Sequence, residues 1–208
     1  VLDHTEQNPR DSHNWIRRVR IMLNGRANWL TIPLVKEKGR IGIPLNETRI
    51  NISNKHTFNK NLKSISQNYS KAPYFKEIMP LVEDYFSFKN GDLIAGNNFK
   101  FIQQTLDLLE IKPRIILSSD LDCKTQSTDL LVEIVKKVEG KTYLSGDGSD
   151  GYLNEEKFNN AGLSLKYNKF NHPIYSQCNT KEFQDGLSII DSLMNVGIFG
   201  VQELIKEN

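Results

Sequence analysis

The sequence predicts an α/β protein with a partly parallel sheet, flanking helices and an N-terminal β-hairpin region. Three observations carry this. Residues 18–32 read as two short strands about an Asn-Gly turn. Residues 58–86 carry apolar stripes at helical spacing. From 113 to 144, a short apolar run, an amphipathic stretch and a second short run follow in β–α–β order, which favours a parallel pair.

In the first strand Val19, Ile21 and Leu23 alternate with Arg18, Arg20 and Met22, the mark of one buried face. Asn24 and Gly25 tolerate positive φ and make the turn. Trp29–Ile32 returns as the second strand and Pro33 stops it. Residues 36–40 are a charged loop, and Thr48, Ile50 and Ile52 mark a further strand. Phe58, Leu62, Ile65 and Tyr69 form one helical stripe. Pro73 suits the first turn of a second helix, and Pro80 is expected to kink that helix or delay its start. Phe101, Ile102, Leu106 and Leu109 suit a third helix, ended by Pro113. Arg114–Leu117 reads as a buried strand. Ser127 is the expected N-cap of the next helix and Gly140 its stop. Strands are expected at 142–144 and 163–167, flanking a short helix at 154–161. The last helix is built on Leu187, Ile190 and Met194 and is expected to end near Gly197.

The 208 residues carry 27 Lys and Arg against 25 Asp and Glu, a net charge of +2 that does not suggest a nucleic-acid binder. No stretch approaches the roughly 20 apolar residues that span a bilayer, so no membrane insertion is expected. Two cysteines make no disulfide framework and fit a reducing compartment; with no secretory signal pattern, the expected location is cytoplasmic.

Several residues are candidates for chemistry. The glycine-rich turn at 145–151, including Ser145 and Gly146, either forms a nest of N–H groups for an anion or is a strand-to-helix turn needing positive φ. Arg18 and Arg20 share a strand face and either clamp a phosphate or carboxylate or sit solvated. His13 and His172 are either general bases or structural hydrogen-bonding residues. Asp191, in the apolar stripe of the last helix, is either a buried partner of an arginine or the helix's outer edge. No metal-ligand spacing and no cofactor motif is recognisable.

The motifs taken together resemble the WbqC-like family. They are His13-Asn14-Trp15 with Arg18 and Ile21; Trp29-Leu30-Thr31-Ile32-Pro33; and Tyr69-Ser70-Lys71-Ala72-Pro73-Tyr74-Phe75. Further along come Tyr143-Leu144-Ser145-Gly146 with Tyr152-Leu153; His172-Pro173-Ile174-Tyr175; and Leu187-Ser188-Ile189-Ile190-Asp191 with Asn195 and Gly197. They occur in the family's order over nearly the whole chain, so residues 1–208 are expected to be a single WbqC-like α/β domain. The family opens with a strand and a Gln-Pro-x-Tyr-x-Pro motif that this sequence lacks, so the domain is expected to be N-terminally incomplete. Arg17 and Val19 stand where the family's Trp-x-Asn-Arg-Asn pattern has asparagines, leaving Arg18 as the matched arginine.

The resemblance associates the chain with bacterial surface-polysaccharide and O-antigen gene clusters. It implies a biosynthetic transferase acting on a nucleotide-linked amino sugar, by N-acyl or aminoacyl transfer. The alternative is a non-catalytic accessory protein that binds a sugar nucleotide or a pathway enzyme. Under the transferase reading the partners are a nucleotide sugar and an activated acyl or aminoacyl donor. His13 or His172 is then the base and Asp191 its orienting group. Trp15, Arg18, Tyr143, Ser145, Gly146, Tyr152 and Tyr175 line the substrate site.

Overall fold

A computed structural model describes residues 1–3, 15–35, 42–146 and 153–207. It is a mixed α/β structure that divides into two compact units. One comprises residues 1–3 and 114–171, the other 4–113 and 172–208.

The larger unit is built on the hairpin β1 (Arg18–Leu23) and β2 (Arg26–Thr31), paired antiparallel with Arg20 opposite Trp29. Asn24 and Gly25 turn it at φ 53° and 74°, as the Asn-Gly signal requires. Ile21 and Met22 are both fully buried, so the strand is covered on both faces where one was expected. The free edge of β1 is closed without a third strand. The Met22 N–H donates to the Tyr69 hydroxyl at 2.8 Å, and the Ser188 N–H donates to the Arg20 carbonyl at 2.8 Å. The expected strand at 48–52 is reduced to isolated bridges, Leu34 with Ile50 and Arg49 with Leu93.

Three helices, α1 (Lys55–Tyr69), α2 (Phe75–Ser87) and α3 (Ile94–Leu108), pack with this hairpin around a core that includes Ile21, Ile65, Ile78, Ile94 and Leu193. Asn54 caps α1, accepting from the Thr57 N–H at 3.2 Å. Pro80 lies inside α2, where it removes one helical N–H donor, and it does not mark the helix start.

The smaller unit holds α4 (Ser127–Lys137), β3 (Thr142–Gly146), α5 (Glu155–Asn160) and β4 (Ser164–Asn168). Strands β3 and β4 are parallel, with α5 lying between them in the chain, and their core is Val135, Phe158 and Leu163. Residues 114–117 join neither sheet; the Ile116 carbonyl instead accepts from the Val1 amine at 2.8 Å. Ser127 is the first residue of α4 rather than its cap. The stop at its far end falls one residue early. Glu139 takes the left-handed conformation, φ 58°, and the Gly140 N–H closes onto the Val135 carbonyl at 2.8 Å.

The last helix, α6 (Ile189–Lys206), belongs to the larger unit and does not end at Gly197. Gly197 instead breaks it, at φ 71° and ψ −178°, and a second helical segment follows. A Cβ at Gly197 would stand 2.6 Å from the Tyr74 ring, so the break is also where that ring lies against bare backbone.

Among the described residues no helix is long and apolar enough to cross a membrane.

Candidate functional site

The larger unit contains a cavity of about 230 Å³. Its roof is the segment entering β1, with Trp15, Ile16, Arg17 and Arg18 on the lining. Leu30 and Ile32 come from the hairpin side, Ile65 from α1, Val82, Tyr85 and Phe86 from α2, Phe101 and Ile102 from α3, and Ile190 from the start of α6. A polar relay fixes the roof. The Tyr85 hydroxyl donates to Asn98 Oδ1 at 2.8 Å, and Asn98 Nδ2 donates to the Ile16 carbonyl at 2.8 Å. Burial raises the Tyr85 phenol above its ordinary range, so it stays a neutral donor.

Arg18 is the notable charge on this lining. Its guanidinium lies 3.8 Å from the centre of the Trp29 ring, and Trp15 meets Trp29 edge-on at 4.9 Å. Its Nε is buried and has no hydrogen-bond partner among the described residues. Two other arginines in the unit have acidic partners. Arg49 grips Asp92 at 2.8 and 2.9 Å, and Arg20 faces Asp185 at 4.0 Å. A planar cation held against an indole, with an unused buried donor, is suited to a carboxylate or phosphate oxygen.

Asp191 heads a second arrangement. It sits in the first turn of α6, where the helix favours negative charge, and its side chain is fully buried. Its partner is no arginine. Oδ1 accepts from the Tyr69 hydroxyl at 2.7 Å, and Oδ2 from Tyr175 at 2.7 Å and from Gln177 Nε2 at 3.3 Å. Burial raises the Asp191 carboxyl, while these hydrogen bonds oppose the shift. Burial and the neighbouring carboxylate raise the Tyr69 and Tyr175 phenols too. The network extends through Asn195, which donates to the Asp191 carbonyl at 2.8 Å and accepts from the Cys178 N–H at 2.7 Å. Gln177 ties in the Gln184 backbone in both directions at 2.8 Å. Asp191 does not line the cavity; Ser188 and Ile190 beside it do. The network therefore fixes the start of α6, which forms part of the cavity wall.

The structure thus brings Trp15 and Arg18 together on one cavity, and Tyr175 and Asp191 together in one buried network. His172 belongs to the same unit and is exposed. Tyr143, Ser145 and Gly146 belong to the smaller unit. Tyr143 stacks on Phe158 at 5.6 Å as part of that unit's core, Ser145 is buried, and Gly146 ends β3. His13, Tyr152 and residues 147–151 of the glycine-rich turn lie outside the described residues. Among the described residues no group of three or more His, Cys, Asp or Glu could hold a metal ion.

Sequence reasoning missed Trp29, Tyr69, Gln177 and Asn195 as site components. Three of these stand in the quoted motif blocks, and Gln177 follows two residues after one of them, so block membership was the available signal.

An uncharacterised protein of Mycobacterium tuberculosis, Rv1507c, is 25% identical over 199 residues, covering 95% of this chain and 83% of that protein. No solved structure matches the chain. Residues 3–203, which include the cavity roof, the Asp191 network and the Tyr143–Gly146 strand, match one family as a whole, and the chain belongs to the WbqC-like protein family.

Proposed function

We propose that this protein is a biosynthetic transferase acting on a nucleotide-linked amino sugar in bacterial surface-polysaccharide production, and that it joins an acyl or aminoacyl group to the sugar amine. The observation that carries the reading is Arg18, a cation on the lining of a largely apolar cavity, whose buried Nε has no hydrogen-bond partner among the described residues. Both substrates of such a reaction bring anionic groups, and Trp15 offers a ring face beside the same opening. In the reaction the amine lone pair attacks the acyl carbon and a C–N bond forms. The bond from that carbon to the donor's leaving group breaks, and the leaving group departs with the electron pair. The attacking nitrogen sheds its proton to a base, for which His13 and His172 are the candidates.

A second reading, a non-catalytic sugar-nucleotide binder or pathway partner, draws support from Asp191. The group assigned to orient a base is held by two tyrosines and a glutamine inside the fold.

Incubation with UDP- or dTDP-amino sugars and activated acyl donors, followed by mass spectrometry, separates the two. Amide product that falls at least tenfold with Arg18→Gln, and with one of His13→Ala or His172→Ala, supports the transferase. Thermal stabilisation by the sugar nucleotide without product supports the binder. Full activity in all three variants overturns the residue roles.

A further inference from the structure

We infer that the cavity under Arg18 is the seat of the donor's acyl group, and that the donor is a carboxylic acid activated as a mixed anhydride with phosphate. The inference rests on the transferase reading and assigns which of its substrates the cavity takes.

Size decides first. Sites that enclose whole ligands run to about 300–1,000 Å³, whereas an apolar cavity of about 150 Å³ takes a benzene ring. At about 230 Å³ this cavity lies between the two. A nucleotide-linked sugar, with a base, two sugar rings and a diphosphate, is too large to be enclosed in it. One aromatic ring, or a branched chain of a few carbons, fits.

Wall chemistry points the same way. Ile65, Val82, Phe86, Phe101, Ile102 and Ile190 present hydrocarbon. Of the polar side chains on the lining, Tyr85 and Asn98 are spent on each other and on the Ile16 carbonyl, which leaves Ser188 and the arginines Arg17 and Arg18. Sugar hydroxyls buried against hydrocarbon would lose their water without compensation, at a cost of roughly 1–3 kcal/mol each. The occupant is therefore apolar.

Charge then fixes the activating group. Arg18 lines the same small space, so the anion it binds must lie within a few bonds of the apolar body. In a coenzyme thioester the phosphates are many bonds from the acyl carbon. In an acyl phosphate or acyl adenylate the phosphate is bonded through one oxygen to that carbon. Of these two classes of activated donor, the mixed anhydride is the one that puts hydrocarbon and anion at this spacing.

Both tryptophans of the chain, Trp15 and Trp29, stand at Arg18, so intrinsic fluorescence reports occupancy directly. The probes are benzoylphosphonate, a stable mimic of an acyl phosphate, with benzoate, benzyl alcohol and UDP, each titrated by fluorescence and calorimetry. Benzoylphosphonate and benzoate are expected to bind at least tenfold tighter than benzyl alcohol. Arg18→Gln should bring them level with the alcohol. Ile102→Phe, at a half-exposed wall position, should weaken all three aromatic probes. Equal affinity for benzoate and benzyl alcohol in the wild-type protein overturns the inference whether or not the variants fold. So does displacement of bound benzoylphosphonate by UDP at equal concentration. Amide formation on the amino sugar without benzoylphosphonate binding sinks this assignment and leaves the transferase standing. Benzoylphosphonate binding with no amide from any donor sinks the transferase and leaves the anion-and-hydrocarbon site standing.

Discussion

Asp191 in the larger unit and Glu133 in the smaller one are carboxylates that each receive several donors, yet they are shifted in opposite directions. Glu133 accepts from the Thr125 hydroxyl at 2.6 Å, the Thr125 N–H at 3.1 Å and the Lys124 N–H at 3.1 Å, with Lys137 at 3.3 Å. Led by the Thr125 hydroxyl bond, these contacts pull it down to about 2. Asp191 has hydrogen bonds of similar length and one helix terminus in its favour, but no cation partner among the described residues, and burial outweighs them. Depth, not the number of donors, decides the sign. Glu133 organises a surface loop ahead of α4, whereas Asp191 welds α1, the 175–178 segment and α6 together.

Removing each carboxylate breaks the comparison most sharply. Asp191→Ala leaves the Tyr69 and Tyr175 hydroxyls and Gln177 without their acceptor inside the fold. At roughly 1–3 kcal/mol per orphaned buried group, with Tyr69 and Gln177 keeping their other partners, the expected loss is about 4 kcal/mol. Urea unfolding at pH 7 measures it. Glu133→Ala should cost far less, because water replaces the lost acceptor. Equal losses would show that depth is not what separates the two sites.

The helix ends make a second contrast, with an effect somewhat smaller. Helix α4 stops at Glu139, φ 58°, in a left-handed conformation that a non-glycine residue adopts at modest cost. Gly197 sits at φ 71° and ψ −178°, a region that glycine alone enters readily. Gly197→Ala also places a methyl 2.6 Å from the Tyr74 ring. The expected loss is about 3 kcal/mol, against well under 1 kcal/mol for Glu139→Ala, both by urea unfolding. A cost at Gly197 no larger than at Glu139 would mean the chain refolds the break as continuous helix.

The same contrast explains how much the sequence could show. Period two over Arg18–Leu23 and the stripe through Phe58, Ile65 and Tyr69 mark local structure, because each depends on neighbours a few residues away. The burial of Met22 depends on covering segments far along the chain, so strand alternation alone assigns it to the wrong class. Residues 114–117 have a strand's composition but no sheet partner in β3 or β4, and pairing is not written in composition. At the site, Arg18 and Trp15 were legible as types. Their cavity needs side chains from four helices, which no local spacing reveals. Asp191 was visible as a carboxylate in an apolar stripe, and its acceptor role for Tyr69, 122 residues away, was not.

The smallest effects are the pH dependences, and their signs must oppose. Burial raises the Asp191 carboxyl in the folded protein, so the folded state holds that proton more tightly than the unfolded chain does. This contribution to stability is fully present below the ordinary value of 3.8 and is lost as pH rises through the folded value. Glu133 runs the other way. With its pKa lowered from 4.5 to about 2, its contribution is present above 4.5 and is lost as pH falls towards 2. Asp191→Asn and Glu133→Gln remove one titration each. Measured against wild type by thermal unfolding at a series of pH values, Asp191→Asn should gain ground as pH rises from 3.8. Glu133→Gln should lose ground from pH 2 to 4.5 and then level off. A flat curve would mean that the carboxylate removed keeps its ordinary affinity for protons in the folded protein, and parallel slopes would mean that one of the two is shifted in the opposite direction. Because each curve is a difference from wild type, the other carboxylates of the chain cancel, and the sign of each slope tests burial against hydrogen bonding one residue at a time.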